Sequence, residues 1–150
     1  RGTDRQRRPR SMRVVRGDLE ISTAREIDVD FVVQELHQTY WAKDRPRDVI
    51  VASLENSLCF GMFDGSTQIG FARVVTDNVT FAWVCDVMVT ASYRDRGLGK
   101  WLVETVVGFL DGRVKRVMLK TNNAQSLYAR YGFASLDGEG HLWMEPSPLK

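Results

Sequence analysis

The sequence predicts a single α+β domain in which helices flank a mixed β-sheet. Some segments alternate apolar and polar residues, as strands do, whereas others carry apolar residues three and four positions apart, as helices do. These segments follow the order β-α-α-β-β-β-α-β-α-β-β, which predicts six or seven strands and about four helices. The 150 residues suffice for one buried core, and no internal repeat or linker divides them.

The first third of the chain provides one short strand and two helices. Leu19–Ser22 alternates in hydropathy and is predicted to be the first strand. An aspartate at position 28 or 30 caps a predicted helix that runs to about Tyr40. This helix places three side chains on one face: Val32, Leu36 and Tyr40. Pro46 interrupts the chain, and a second helix is predicted over residues 48–55.

The middle of the chain carries a hairpin followed by a long apolar strand. Two strands are predicted over residues 58–63 and 67–76, joined by Asp64-Gly65, a dipeptide typical of hairpin turns. In the second of these strands the period of two predicts four side chains on one face: Ile69, Phe71, Arg73 and Val75. The next strand is predicted over residues 79–89.

The last third is predicted to alternate helices and strands. Residues 100–110 carry apolar side chains at helical spacing, and residues 114–120 form a strand. Asn122 or Asn123 caps a helix that ends near Tyr131, with Gly132 as its left-handed cap. Residues 133–136 and 141–145 are predicted to pair as a final hairpin.

Composition indicates a globular protein, with no membrane-spanning segment and no metal site expected. Apolar residues make up 43% of the chain and charged residues 27%, which are ordinary values. No segment is typical of a membrane span or a signal peptide, so a cytoplasmic location is expected. Cys59 and Cys85 lie in apolar runs and are predicted to be free thiols, and no cluster of His and Cys indicates a metal site.

The positive charge of the chain is concentrated at its beginning. The first 18 residues hold seven arginines and two aspartates, whereas the remainder holds fourteen basic and seventeen acidic residues. Residues 1–11 are predicted to be a disordered basic tail, with residues 12–150 as the folded domain. For this tail we favour an origin outside the functional protein, such as an alternative start before Met12, over a role as a nucleic-acid-binding arm. The rest of the chain shows no basic, aromatic-rich pattern that would support such an arm.

The most informative segment is Arg94-Asp95-Arg96-Gly97-Leu98-Gly99, between a predicted strand and a predicted helix. Bare N–H groups at such a turn and the helix dipole favour a bound phosphate, and the arginines add positive charge. A P-loop would need glycine at position 94 and Ser or Thr at 101, and a dinucleotide fingerprint would need Gly or Ala at 102. Position 94 is Arg, position 101 is Trp and position 102 is Leu, so both motifs are excluded.

The remaining pattern, Arg-x-x-Gly-x-Gly over residues 94–99, resembles the pyrophosphate loop of the GCN5-related N-acetyltransferase (GNAT) family. A second segment, Leu127-Tyr128-Ala129-Arg130-Tyr131-Gly132-Phe133, is similar to the Leu-Tyr-x-x-x-Gly-Phe segment of that family. The two occur in the expected order, and the resemblance extends back to about Leu19. It implies the fold of the family, in which two central strands splay apart.

The resemblance implies acetyl transfer from acetyl-CoA to a primary amine by direct attack in a ternary complex. The loop would hold the pyrophosphate, the end of the preceding strand would pair with the pantetheine amides, and an amide near Val89 would polarise the thioester. The family often carries Asn at the position of Thr121, so an adjacent asparagine would take over that contact. The implied cofactor-binding residues are Val87, Met88, Val89, Arg94, Asp95, Arg96, Gly97, Leu98, Gly99, Lys100 and Asn123.

Two residues are candidates for proton transfer. The resemblance implies that Tyr128 gives its proton to the departing thiolate, a task that suits a phenol because it is neutral at pH 7. Asp86 lies in an apolar strand, where a carboxylate is costly without a partner. It is either the base or anchor for the amine, or a structural aspartate satisfied by backbone N–H groups or by Arg73.

The acceptor pocket is expected to include Tyr40, Trp41 and Trp83, but core packing is an open alternative for all three and is favoured for Trp83. In the family the segment after the first helix often walls this pocket, and here Tyr40-Trp41 precedes Lys43, Asp44 and Arg45. The acceptor is a small-molecule or peptide amine, and the mildly acidic body favours a cationic one. A homodimer is an open alternative to a monomer. The competing function is a non-catalytic acyl-CoA sensor on the same fold.

Overall fold

The computed structural model describes residues 11–136 of the chain, which form six strands and four helices. In chain order these are β1 (Arg13–Arg16), β2 (Leu19–Ser22), α1 (Val29–His37), α2 (Arg47–Glu55), β3 (Leu58–Asp64), β4 (Thr67–Thr76), β5 (Phe81–Val89), α3 (Leu98–Leu110), β6 (Arg116–Leu119) and α4 (Gln125–Ala129). The chain falls into two compact units, the first ending at Lys120 and the second beginning at Thr121. Residues 1–10 of the predicted tail and the strand predicted at 141–145 lie outside the described residues.

One mixed sheet runs through the first unit and confirms the predicted α+β fold class. Its strands lie in the order β1-β2-β3-β4-β5-β6; neighbours are antiparallel except β5 and β6, which are parallel. β1 has no counterpart among the predicted strands, because it is a four-residue edge strand that begins and ends with arginine. It pairs with β2 across a turn in which Gly17 adopts φ +56°.

Apolar side chains form a core on each face of the sheet. α3 covers one face with buried residues at helical spacing: Leu98, Trp101, Leu102, Val106 and Leu110. α1 and α2 cover the other face, and their buried residues include Val32, Leu36 and Ile50. Phe71 of β4 and Met88 of β5 complete this second core. The predicted helix at 100–110 is therefore confirmed, with a start two residues earlier.

An irregularity between β3 and β4 changes which face the side chains of β4 occupy. Met62 pairs with Gly70 and Phe63 pairs with Gln68, so Ile69 has no partner on β3. A bulge of this kind shifts the alternation by one residue. The prediction that Ile69 shares a face with Phe71 is therefore wrong: Ile69 packs in the α3 core, and Phe71 in the opposite one.

A second irregularity, between β4 and β5, determines where Asp86 lies. Phe71 pairs with Met88 and Arg73 pairs with Cys85, so two residues of β5 oppose one residue of β4. Asp86 is one of these two residues, and its φ of +51° is uncommon for a residue other than glycine. The geometry is that of a β-bulge, which changes the direction of a side chain from the one that regular strand alternation would give it.

The first helix is shorter than its sequence pattern predicts. Asp28 caps α1 as expected, accepting a hydrogen bond from the Phe31 N–H at 3.1 Å. The helix ends at His37 because the Thr39 N–H and hydroxyl both donate to the Leu36 carbonyl, at 3.0 and 2.7 Å. Tyr40 consequently lies beyond the helix and is 64% exposed, so the prediction that it shares a helix face with Val32 and Leu36 is wrong.

The second unit, as far as residue 136, contains α4 and a closing turn. Ala124 stands at the N-cap position, and its N–H donates to the Thr121 hydroxyl at 3.0 Å, so neither asparagine caps this helix as predicted. Gly132 has the expected left-handed conformation, with φ +85°. Residues 133–136 form no strand. The first strand of the predicted hairpin is therefore wrong, and its second strand lies outside the described residues.

Candidate active site

The exposed edge of β5 is the first component of the site. β6 pairs with β5 only from Phe81 to Val84, where the partner of Val84 is Leu119. Beyond that point β5 keeps register partners on β4 but, among residues 11–136, none on the β6 side. The backbone of residues 85–89 therefore has N–H and C=O groups that the sheet does not use on that side. This is the splay that the family resemblance implies, and it includes the predicted positions Val87, Met88 and Val89.

The glycine loop that follows β5 is shaped by two left-handed residues. After a 3₁₀ turn at Ala91–Tyr93, Asp95 adopts φ +63° and Gly97 adopts φ +73°. The Arg94 Nε donates to the Val89 carbonyl at 3.1 Å, which ties the loop to the end of β5. The guanidinium of Arg96 lies 5.0 Å from the centre of the Tyr93 ring. Residues 94–97 are exposed.

The loop leads into an uncapped helix N-terminus. Gly97 is the N-cap residue of α3, no side chain bonds to this end, and the first turn holds no acidic residue. The first N–H groups of a helix have no partners within the helix, so they and the helix dipole favour an anion here. A Cβ built at Gly97 or Gly99 meets no atom within 4 Å. Lys100 is exposed, whereas Leu98 is buried and can offer only its backbone.

These features fit a diphosphate. Open space lies above Gly97 and Gly99, free N–H groups are expected at the helix start, and Arg94, Arg96 and Lys100 supply positive charge. The single carboxylate of the loop, Asp95, is exposed to solvent. A site built in this way attracts an anion.

A second group of side chains surrounds Asp86, and we call it the Asp86 cluster. One carboxylate oxygen, Oδ2, accepts hydrogen bonds from Arg73 Nε at 2.8 Å and from Arg45 Nη1 at 2.9 Å. The other oxygen, Oδ1, accepts from the indole Nε1 of Trp41 at 3.3 Å. The Asp86 side chain is only 2% exposed, against 14% for Arg73 and 24% for Arg45. The cluster therefore joins β4 and β5 to the loop between α1 and α2.

The arginines keep Asp86 ionised despite its burial. Desolvation by burial pushes its pKa upward, but the hydrogen bonds and charges of Arg73 and Arg45 outweigh it and hold the pKa below the ordinary value. Both oxygens of the ionised carboxylate already accept hydrogen bonds from protein donors. The geometry thus matches the alternative in which Arg73 satisfies Asp86, and it gives the carboxylate little access to a substrate.

The predicted acceptor-pocket residues occupy the same side of the sheet. Trp41, 48% exposed, contacts Tyr40 edge to face with ring centres 5.2 Å apart. Trp83 on β5 alternates with Ala82 and Val84, which face the α3 core, so it lies on the face that carries Arg73. The structure thus brings Trp41 into contact with Asp86 and leaves the Tyr40–Trp41 pair accessible.

Tyr128 and Asn123 belong to the second unit. Tyr128 lies in α4, and its ring contacts Phe133 with centres 5.8 Å apart. Burial raises the pKa of the Tyr128 phenol above its ordinary value, so the group is protonated at neutral pH. No hydrogen bond joins its hydroxyl to another residue of the described chain. Asn123 is exposed in the bend before α4.

Both cysteines are half-buried free thiols in the first unit. Burial raises the pKa of Cys59 and that of Cys85 to about 11, with smaller opposing effects from the charge of Arg73. Each cysteine is therefore a thiol at neutral pH, and the fraction of reactive thiolate is very small.

The residue that sequence reasoning did not assign is Arg45. Its guanidinium reaches Asp86 across 41 positions of the chain, a separation over which no periodic pattern operates. Two sequence features bear on Arg45: an aspartate in an apolar strand, which needs a partner, and the unusual run of aromatic and charged residues after the first helix. They indicate Arg73 as a partner of Asp86 but do not indicate that Arg45 is a second partner.

The comparisons with known proteins identify the family. The model of the "Acetyltransferase (GNAT) family" matches residues 22–133, so the chain belongs to the GNAT acetyltransferase family. Members of this family use acetyl-CoA and act on small-molecule or peptide acceptors. In residues 11–136, no helix is long and apolar enough to cross a membrane.

Individual relatives agree with this assignment. The curated "Putative acetyltransferase FG08082" of Gibberella zeae is 28% identical, and the match covers 77% of this chain and 78% of that protein. A crystal structure of a "putative acetyltransferase belonging to the gnat family" from Xanthomonas campestris pv. campestris is 37% identical, with a TM-score of 0.79, over 88% of this chain and 95% of that one.

A more distant structure shares the fold alone. The N-acetylglutamate synthase of Neisseria gonorrhoeae, solved with coenzyme A and N-acetyl-glutamate, is 14% identical with a TM-score of 0.68. The match covers 85% of this chain and 31% of the synthase.

Proposed function

We propose that this protein transfers the acetyl group of acetyl-CoA to a primary amine by direct attack in a ternary complex. The observation that supports this most strongly is the uncapped N-terminus of α3, which follows a glycine loop at the end of an unpaired strand edge. Family membership makes acetyl-CoA the natural ligand for that arrangement. The coenzyme A complex of the synthase from Neisseria gonorrhoeae is consistent with it.

The first unit would bind acetyl-CoA along β5 and the glycine loop. The N–H groups of residues 97–100, with the side chains of Arg94, Arg96 and Lys100, would hold the diphosphate. Backbone groups of Val87, Met88 and Val89 on the free side of β5 would pair with the pantetheine amides. Leu98 and Asp95 would take part through their backbone, and Asn123 stays a proposed contributor of a polar contact to the cofactor.

The reaction exchanges one bond to the acetyl carbon for another. Acetyl-CoA supplies a thioester, whose carbonyl carbon accepts the lone pair of a neutral amine while the carbon–sulfur bond breaks. Tyr128 donates the proton that neutralises the departing thiolate, because its raised pKa keeps the phenol protonated at neutral pH. The nitrogen loses one proton as the amide forms, and this proton restores the phenol. A backbone N–H near Val89 stabilises the charge that develops on the carbonyl oxygen.

Direct attack is favoured over an acyl-cysteine route. A covalent route needs a thiolate, and the two cysteines of the chain have pKa values of about 11. At pH 7 about one thiol in ten thousand is ionised at such a pKa. The amine itself is therefore the nucleophile that meets the thioester.

Asp86 is better suited to positioning arginines than to accepting the amine proton. A lysine-like ammonium has a pKa of about 10.4 and an ordinary aspartic acid one of about 3.9, so transfer between them costs roughly 9 kcal/mol, and the lowered pKa of Asp86 adds to this. Its burial beneath Trp41 and Arg45 also blocks direct contact. The proton of the ammonium would leave to solvent, and Asp86 would hold Arg45 and Arg73 in place.

The experiment is a thiol-release assay with acetyl-CoA and a broad panel of primary amines. We expect turnover with at least one amine, and a fall in kcat of about 100-fold or more for Tyr128→Phe at unchanged acetyl-CoA affinity. Tyr131→Phe, three residues away, is the matched control and keeps the parental kcat. Binding of acetyl-CoA without thiol release from any amine would instead identify an acyl-CoA sensor, and equal kcat for both variants would remove Tyr128 from the mechanism.

A further inference from the structure

The Asp86 cluster holds more positive than negative charge. Two guanidiniums, those of Arg45 and Arg73, share the single carboxylate of Asp86. The remaining charges of the α1–α2 loop, on Lys43 and Asp44, are opposite in sign and cancel. One positive charge therefore remains at the cluster, whereas the body of the protein after residue 18 is mildly acidic.

The two arginines are not equally satisfied. Arg73 also donates from Nη1 to the Ser57 hydroxyl at 3.2 Å, and its side chain is 14% exposed. Arg45 donates only from Nη1, and its Nε and Nη2 have no protein acceptor among residues 11–136. No buried side-chain nitrogen or oxygen in that range lacks a partner, so these two atoms of Arg45 face solvent. Arg45 thus presents free, planar donors next to a fixed carboxylate.

Two other polar side chains of α1 are hydrogen-bonded to partners other than the Arg45 guanidinium. The carboxylate of Glu35 in α1 accepts a hydrogen bond from the Thr90 hydroxyl at 2.7 Å. The neighbouring His37 Nε2 lies 2.8 Å from the Arg45 backbone carbonyl, which orients the backbone of the loop rather than the guanidinium. The free donors of Arg45 are therefore available to an anion from outside the chain.

An accessible aromatic surface adjoins these donors. Trp41 is fixed by its hydrogen bond to Asp86, yet 48% of the residue is exposed, and Tyr40 stands against it edge to face. A large exposed ring that is held in one orientation offers apolar contact at little cost in side-chain entropy. The same loop therefore offers a charged contact and an apolar contact side by side.

The position of the cluster links it to the reacting strand. Asp86 belongs to the bulge of β5, and the free edge of β5 begins at the adjacent Cys85. An acceptor that rests on the α1–α2 loop thus lies beside the strand proposed to hold the pantetheine arm.

We propose that the acceptor is a small amine that also carries a carboxylate, of the amino-acid type, and that Arg45 binds this carboxylate. The side chain of the acceptor would rest on Tyr40 and Trp41. Asp86 acts as a positioning residue, because it orients Arg45 through the shared oxygen Oδ2. This inference rests on the proposed acetyltransferase function and narrows it to one class of acceptor.

The test compares amines that differ only in the carboxylate. L-phenylalanine is paired with phenethylamine and L-leucine with isoamylamine, and thiol release from acetyl-CoA gives kcat/KM for each. The parent protein is expected to prefer the amino acids by about 10- to 100-fold, mainly through KM, because a charge-assisted hydrogen bond is lost in the decarboxylated partners. Arg45→Gln abolishes the preference, and Arg45→Lys retains part of it.

The control is Arg47→Gln, which removes a neighbouring arginine whose side chain is 57% exposed and paired with Asp30. It leaves the preference unchanged. Equal or better turnover of the decarboxylated amines by the parent protein overturns this inference and leaves the acetyltransferase assignment intact. Absence of thiol release with all four amines also overturns this inference, whereas its absence across the broad amine panel overturns the assignment itself.

Discussion

The Asp86 cluster and the glycine loop lie at opposite ends of residues 86–94, the last part of β5 and the turn after it, but they are built in opposite ways. At the loop, the N-terminus of α3 is uncapped, the side chains are exposed and the space over the glycines is open. At the cluster, each oxygen of the Asp86 carboxylate has a protein donor, and the side chain is almost fully buried. The loop leaves its polar groups for a ligand, whereas the cluster satisfies its own.

This difference separates binding from stability. Unpartnered groups at a surface loop contribute little to folding, so substitutions there should change ligand affinity more than the free energy of unfolding. A buried ion pair is different, because removal of one partner leaves the other charge without compensation. Substitutions in the Asp86 cluster should therefore act mainly on stability, except at the half-free Arg45.

The largest expected effect on stability is that of Asp86→Ala. It leaves two guanidiniums in a largely buried setting without their carboxylate, and we expect a loss of about 3 kcal/mol. Urea unfolding of parent and variant measures this loss. The matched control is Asp30→Ala, which breaks the 2.7 Å pair with Arg47, in which Asp30 is 79% exposed. That pair should contribute below about 1 kcal/mol. Equal losses for the two variants would contradict the contrast drawn between buried and exposed pairs.

The second prediction concerns acid unfolding. The pKa of Asp86 in the folded protein is below its unfolded value, which is about 3.9 for an ordinary aspartate. Its stabilising contribution is therefore complete above that pH and is lost as the pH falls toward the folded pKa. The parent should lose more unfolding free energy than Asp86→Asn as the pH falls through and below about 4.

The comparison with Asp86→Asn isolates one carboxylate. Asp77, whose pKa is also lowered, chiefly by its hydrogen bond with the Thr80 hydroxyl, is present in both proteins and cancels from the difference. Parallel pH profiles for parent and variant would mean that Asp86 has the same pKa folded and unfolded.

The smallest expected effects lie in the glycine loop and differ in sign. Gly99 is helical, and an added Cβ meets nothing within 4 Å, so Gly99→Ala should stabilise the protein by about 0.5–1 kcal/mol. Gly97 has φ +73°, and Gly97→Ala should destabilise by about 1–2 kcal/mol. Thermal unfolding of both variants checks this. The same sign for both would show that the loop does not hold Gly97 in the left-handed conformation.

The sequence predicts the loop better than the cluster for a physical reason. A helix N-terminus after a glycine turn is local, and residues 94–99 carry the whole signal. The alternation of strands likewise located β3, β4 and β5. Bulges are the exception, since they depend on the pairing strand, and this is why the face of Ile69 was predicted wrongly. The contact between Arg45 and Asp86 requires the folded sheet and loop together, so periodicity could not reveal it.

Helix ends also depend on chemistry that hydropathy does not record. The stop of α1 at His37 follows from hydrogen bonds of Thr39, and the start of α4 from the hydroxyl of Thr121 rather than from an asparagine. The assigned roles of Tyr128, Asn123 and the pocket residues stay predictions that the proposed kinetics address.

The most direct test of the central claim is calorimetric titration of acetyl-CoA into Gly99→Glu and Gly108→Glu. Both glycines lie in α3, and neither position has an atom within 4 Å of an added Cβ, so the two variants differ mainly in where the new charge lies. If the α3 N-terminus holds the diphosphate, Gly99→Glu should weaken binding by about 100-fold or more, whereas Gly108→Glu binds as the parent does. Equal affinity of the two variants would contradict the account.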